Sequence, residues 1–443
     1  MTDQELERST SRKVNRRFLP LLFICFIVAF LDRVNVGFAA LTMMGDLGLS
    51  STAFGLGAGL FFLSYFLCEV PSNLALARVG ARRWIARIMF TWGLLSGVMA
   101  FVQGEKSFYV LRLLLGAAEA GFFPGIIFFL GLWVPAAYRG RVIAGFMAAM
   151  PVASVLGGPL SGLLLQLDGV AGLRGWQWMF LIEAIPAMAL TPIVLRVLCD
   201  KPDDAGWLTQ EERDWLNRRL ASDNALGAAQ RTGHLGVMQL LRSPLILLLG
   251  AAYFGITGFN YGLSFFLPQI IQQFGFSTLQ TGFVSAIPFA VAAIGMTLWG
   301  RHSDRHDERR KHLLVPLALA VFGLAGSTLV AAPVVKMVLI CVAAFGVFSA
   351  LPIYWTLPST LLSQASAAAG IAIVNSMGNL SGFVNPYILG VIKDATGSFS
   401  GGLQVIAGFG LVSLCILGIV TRGTAWARPA EAPQVPAGMP SGS

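Results

Sequence analysis

Charge is what this sequence has least of. Of its 443 residues only 12% are Asp, Glu, Lys or Arg, while 56% are hydrophobic, and the mean hydropathy is +0.71. Soluble domains carry about 25% charged residues, so an ordinary soluble protein is excluded. Histidine is scarce as well. His234, His302, His306 and His312 are the only four, all in or beside polar connecting stretches. A histidine proton relay inside a membrane is therefore excluded. Five cysteines, Cys25, Cys68, Cys199, Cys341 and Cys415, are scattered singly, without disulfide or metal-site spacing. His302 and His306 lie four apart but have no third ligand nearby, so neither a metal nor a cofactor is expected. No nucleophile–base set converges in the apolar stretches, which speaks against an enzyme. A cleavable leader is not expected either, because the chain begins long and polar and its first apolar run is of full spanning length.

What the sequence has in abundance is long apolar runs, with 32 Phe and 50 Gly that suit packed membrane helices. Twelve such runs are readable. They predict a cytosolic tail over 1–18, a first six-helix bundle over 19–198, and a cytosolic linker over 199–242. A second six-helix bundle follows over 243–421, then a disordered tail over 422–443, rich in Pro, Ala and Gly. Within the linker, LTQEERDWLNRRL reads as a short amphipathic helix, with Thr209 as N-cap and Glu212 three residues on.

A net charge of +9 looks like a nucleic-acid signal until the charges are placed. Of the 31 Lys and Arg, 25 fall in the tails and alternate loops on one side, and only Lys106, Arg174, Lys336 and Lys393 in the loops of the other. That bias predicts both termini in the cytosol and an even number of spans. It makes the lipid bilayer, not nucleic acid, the partner.

Arg33 and Arg112 remain, both inside spans. The run Leu19 to Thr42 is long enough to cross a hydrocarbon core of about 30 Å, yet its middle carries Asp32, Arg33 and Asn35. A charge at mid-helix costs at least about 2.5–3.5 kcal/mol. Helix neighbours point about 100° apart, so Asp32 and Arg33 need separate partners. The planar fork of Arg33 suits a carboxylate ligand; an ion pair with Asp32 or Glu119 is the alternative. Asp32 and Glu119 are proton-carrier candidates, because burial opposes their charge while a nearby arginine favours it. Glu119 lies seven residues after Arg112, on the same helix face, and Arg112 reads as its structural partner. Asn35, Glu69 and Glu183 read as interhelical hydrogen-bonding groups. Tyr65, Asn260, Tyr261, Tyr354, Trp355, Asn375 and Asn379 are candidate ligand-lining residues, each of which could equally be packing.

A repeat links the two halves. Shifted by 227 positions, Arg78 falls on Arg305, Arg82 and Arg83 on Arg309 and Arg310, and Arg33 on Asn260, beside Tyr261. The later loop reads Gly300-x-x-x-Asp304-Arg305-x-x-x-Arg309-Arg310, and the earlier copy is degenerate, with Asn73 and Ala77 where Gly and Asp would stand. These residues read as a conformational latch between helix ends, in which Asp304 caps a helix start and pairs with arginine when the inner gate is shut.

That loop pattern, together with Gly157-Gly158-Pro159 and Gly162, resembles the major facilitator superfamily. Within it, the chain resembles the anion:cation symporter family. The resembling residues are Asp32-Arg33-x-Asn35, Glu69-Val70-Pro71-Ser72-Asn73, Gly80-x-Arg82-Arg83-Trp84, and Arg112 with Glu119 and Pro124. Trp176-x-Trp178-x-Phe180-Leu-Ile-Glu183, Tyr261-Gly262-Leu263 and Leu267-Pro268 complete them. The resemblance covers roughly residues 15–425. The seventh span has no arginine, unlike the vesicular glutamate carriers of that family.

The resemblance implies an all-α membrane protein of twelve transmembrane helices in two six-helix bundles, with a site between them at mid-depth. It implies proton coupling through Asp32 and Glu119. It further implies a functional monomer in a bacterial inner membrane, taking up a small organic anion with protons by alternating access. A tartrate-like hydroxy or sugar acid is the first expectation and an aromatic carboxylate the second. The alternatives are a proton-antiport exporter of drugs or metabolites, and a non-transporting membrane sensor.

Overall fold

The structure, a computed structural model, describes residues 2–229, 237–306, 308–361 and 364–422. Among these the only regular elements are helices. The first half holds α1 (Asp3–Leu47), α2 (Ser51–Val79), α3 (Ala81–Val98), α4 (Glu105–Glu119), α5 (Phe122–Trp133), α6 (Ala136–Met147), α7 (Ala149–Leu164) and α8 (Gly175–Val197). Then come α9 (Gln210–Ala229) and α10 (Val237–Leu241), and a second half of α11 (Pro244–Gln272), α12 (Thr278–His306), α13 (Arg310–Ser327), α14 (Pro333–Tyr354), α15 (Thr356–Leu361), α16 (Gln364–Thr396) and α17 (Ser400–Val420). The pairs α4–α5 and α6–α7 each make one crossing with a break. Ten helical stretches are long and apolar enough to cross a membrane; α13 and α16 complete twelve. Large apolar side chains such as Leu67, Val70, Phe322, Val334 and Ile419 stand exposed around the perimeter, where acyl chains replace water.

The N-terminal tail expected over 1–18 is helical and continuous with the first crossing. α1 runs 45 residues from Asp3 through the tail and the whole first crossing. Thr2 and Glu5 close a capping box at its start. Leu6, Thr10, Val14 and Phe18, four apart, form a buried stripe. Phe18 sits edge-on to Phe129, Trp133 and Trp207, a burial that contributes about 1.5–3 kcal/mol. The linker supplies the rest of the clamp. Glu212 caps α9 with Thr209 and also accepts from Ser9 and Lys13. The last tail residues, from 423 on, lie outside the described ones.

The two halves meet at the end of the molecule opposite the termini. There α2 packs on α16, α7 on α12, and α1 on α11. At the α7–α12 crossing Gly158 and Gly282 face each other so closely that a Cβ on either would strike the other's carbonyl oxygen, which is how small residues let membrane helices approach.

Candidate functional site

Asp32 and Arg33 are consecutive on α1 and face different helices. The Asp32 carboxylate, 2% exposed, accepts from the Trp92 indole and the Ser96 hydroxyl of α3 (2.9 Å for Ser96) and from Asn35 Nδ2 at 3.2 Å. The same Asn35 amide nitrogen donates to Glu183 Oε2 of α8 at 2.8 Å, and Ser161 of α7 donates to the other Glu183 oxygen at 3.3 Å. Trp92, Ser96 and Ser161 are members of this network that sequence reading did not single out. A tryptophan and two serines inside apolar runs carry no distinctive signal until their neighbours are known.

Arg33 turns the other way. Its guanidinium is ion-paired to Glu119 and lies over the rings of Phe61 and Tyr65, at 5.6 and 5.4 Å. Its side chain keeps 16% exposure, against 2% for Glu119. Its Nε–H is buried with no acceptor. Such a donor is costly to leave unmade, so the arginine is set up to take one more acceptor.

Glu119 reaches Arg33 because the fourth crossing breaks at it. Ala120 adopts ψ 131° and Gly121 φ 87°, between α4 and α5. Only glycine takes that φ without strain, and a Cβ there would strike Ser72 Oγ. The carbonyl freed by the break is not orphaned: Ser72 Oγ donates to Ala120 O at 2.6 Å and itself accepts from the Trp84 indole at 3.0 Å. Hydropathy gives no sign of this break, because Glu105–Trp133 is one apolar run. The Ala120-Gly121 step four residues ahead of Gly125 was its signal.

Arg112 differs from its expected partnership with Glu119. Its guanidinium, 1% exposed, donates to the Gly57 and Ala58 carbonyls of α2 at 3.3 and 3.2 Å and stacks on Phe61 at 4.8 Å. It thereby holds α4 to α2. Glu69 is half-buried on α2, with one carboxylate oxygen unpartnered.

From the second half, Tyr261 reaches this place. Its ring lies 4.3 Å from Phe62, its hydroxyl faces the Arg33 guanidinium, and it donates to Asn379 Oδ1 at 3.4 Å. Asn260 accepts from Ser264 at 3.5 Å. Asn375 stands one turn before Asn379 on α16. Tyr354 is placed elsewhere: it is fully buried, donates to Leu249 O at 2.7 Å, and stacks on Tyr253. Trp355 packs edge-on to the same Tyr253. These contacts make Tyr354 part of the packing of α14 on α11.

The loop residues are tied within their own halves. Asp304 pairs with Arg309 of its own loop at 2.6 Å. Arg310 reaches Thr421 Oγ1 and Gly418 O on α17 at 3.2 and 3.4 Å. In the earlier loop Arg82 uses its backbone N–H for Asp200 (2.9 Å) and its side chain for Leu195 O (2.6 Å). Arg78, Arg83 and Arg305 are exposed, and Gly300 is half-buried in α12. His302, His312 and Glu308 form a chain beside this loop, at 2.6 and 2.8 Å. Among the described residues no group of His, Cys, Asp or Glu could hold a metal ion.

At the opposite end one carboxylate joins the halves. Asp394 accepts from the Ser51 N–H at 3.0 Å and the Thr52 N–H at 2.7 Å, capping α2 from the end of α16. Partial burial raises its carboxyl, but the bonds from Thr52 and Ser51 outweigh this and hold it at about 2. Beside it, a Cβ on Gly390 would strike Ser51 O.

Known proteins agree with this architecture. The profile described as Major Facilitator Superfamily matches residues 22–386. A protein of Agrobacterium vitis named "Putative tartrate transporter" is 50% identical over 420 residues, 95% of this chain and 93% of that one. A "Quinolone resistance transporter" of Acinetobacter baumannii is 43% identical over 412 residues, 92% and 94% of the two chains. Among solved structures, a bacterial homologue of the human lysosomal transporter Spinster, in an inward-facing, unoccupied conformation, superposes with TM-score 0.76 at 17% identity over 92% of this chain and 97% of that one. A D-xylose–proton symporter superposes with TM-score 0.70 at 16% identity, over 92% and 97%. The chain is a multi-pass membrane protein of the Major Facilitator Superfamily, a family of transporters.

Proposed function

We propose that the protein takes up a small organic anion together with protons, by alternating access between its two six-span halves. The observation that carries this is Arg33: a buried-edge guanidinium, paired to Glu119, with one N–H still lacking an acceptor. An anionic carboxylate supplies that acceptor. Protonation of Glu119 weakens its hold on Arg33 and frees the fork for the ligand, so proton and anion enter together. Removing one member of a buried ion pair outright costs about 3–5 kcal/mol, which is why the anion must replace Glu119 rather than merely follow it.

A tartrate-like hydroxy acid is the preferred substrate, supported by the relatives named for tartrate at about half identity. Tyr261 and Asn379 would meet its hydroxyls from the second half. The excess of Lys and Arg on one side supports cytosolic termini, and the bacterial relatives favour an inner membrane. In that orientation the contacts of Asp394, Gly158 and Gly282 close the outer side. The 43% identical quinolone resistance transporter favours a second reading, proton-antiport export of a drug.

The test is uptake into proteoliposomes under an imposed inward proton gradient, with labelled L-tartrate, competing hydroxy and aromatic acids, and a fluoroquinolone. Gradient-driven accumulation of a carboxylate is expected. Expulsion of the fluoroquinolone without carboxylate uptake would favour the second reading.

A further inference from the structure

Two buried carboxylates stand apart from the Arg33–Glu119 pair. Asp32 and Glu183 are 2% and 5% exposed, and neither has a Lys or Arg within ion-pairing distance among the described residues. Their close surroundings are Trp92 and Ser96 from α3, Ser161 from α7 and Asn35 from α1. At longer range Glu119 and Arg112 of α4 act on Asp32. Two bare negative charges sharing one amide in a membrane interior are not a stable arrangement.

Asn35 shows how the arrangement is relieved. Both hydrogens of its Nδ2 are used, one toward each acid, while its Oδ1 is buried with no donor. A proton on one acid supplies the missing donor. The amide can then turn over, accepting from the protonated acid through Oδ1 and donating to the remaining carboxylate through Nδ2.

The geometry points to Glu183 as a second proton-holding residue of the transport cycle, sharing one proton with Asp32 through Asn35; this rests on the proton-coupled reading above. It makes the α1–α8 contact, rather than α1 alone, the place where the first-span acid is loaded. Arg33 and Glu119 then remain free to handle the anion.

The test uses the full-length protein in liposomes, followed by infrared difference spectroscopy during acidification without substrate. Protonated-carboxyl bands are expected in the wild type; the one from the shared pair is lost in Glu183→Gln and in Asp32→Asn, and kept in Glu119→Gln. An unchanged band in Glu183→Gln overturns the proposal. Should that variant fail to insert, Ser161→Ala decides: removing the Glu183 hydroxyl partner should shift the midpoint of the band, and an unshifted midpoint overturns the proposal. In the same vesicles, lumenal acidification on adding L-tartrate reports coupling. Glu183→Gln should move about half the protons per anion, or fewer. If the wild type accumulates tartrate with no acidification, the proton-coupled reading itself falls. If the wild type acidifies and Glu183→Gln does so equally per anion, only the shared-proton pair falls.

Discussion

Asp32 and Arg33 are joined by a peptide bond and belong to different networks: the carboxylate to Trp92, Ser96 and Asn35, the guanidinium to Glu119. The separation follows from the helix itself, since consecutive side chains diverge by about 100°. In the proposed cycle it lets one helix carry a proton-holding group and an anion-holding group that do not neutralise each other.

Arg33→Lys keeps the charge and removes the fork. A lysine can keep Glu119 or meet the anion, but has no second N–H in the fixed plane. Substrate affinity should fall about tenfold to a hundredfold, the equivalent of one charge-assisted hydrogen bond of about 1.5–3 kcal/mol. Membrane insertion should stay normal. Binding measured on purified protein checks this, and near-normal affinity would make Arg33 a scaffold residue.

Gly121→Ala forces a side chain onto a backbone at φ 87° and against Ser72. The left-handed conformation alone costs about 1–2 kcal/mol, and the collision adds to it. The midpoint of thermal unfolding should drop by several degrees and transport should fall with it, because Glu119 is misplaced. Gly45→Ala is the control: a Cβ there meets nothing within 4 Å, so it should be neutral or slightly stabilising.

The membrane class and the twelve crossings were legible from apolar run length, and the need of Asp32, Arg33 and Glu119 for buried polar partners from charges where lipid should be. The break after Glu119 was not, because hydropathy stays high across Ala120-Gly121 and a run of that kind reads as one helix. The carbonyls that hold Arg112 were not legible, since a shared helix face says nothing of a neighbouring helix that offers two acceptors within reach. The helical tail was hidden because its Leu6, Thr10, Val14 and Phe18 stripe matters only once α5 and the linker lie against it. Asp394 went unnoticed for the same reason: a lone acid at a helix end has no sequence mark of the other half's N-terminus.

Asp394→Asn should loosen that outer contact. The carboxyl is held at about 2 in the contact and returns toward about 3.9 when free. A group depressed in the closed state stabilises that state above its free value, and the contribution is lost as pH falls from about 4 toward about 2. Between pH 5 and 8 the latch is therefore fully charged and closure by it should not vary. Spin labels on cysteines placed at Gly45 and Ser398 should report a longer, broader distance distribution in Asp394→Asn than in the wild type. An unchanged distribution would show that the glycine crossings alone hold this end shut.

The central claim is that a proton on Glu119 exchanges against the anion for Arg33. Glu119→Gln copies the protonated acid in shape and cannot release a proton. The most direct measurement is paired, on this variant in proteoliposomes: uphill uptake of L-tartrate under an imposed proton gradient, and counterflow into vesicles preloaded with unlabelled tartrate. Loss of uphill uptake with counterflow retained is the expected result. Accumulation that still follows the gradient in Glu119→Gln would contradict it.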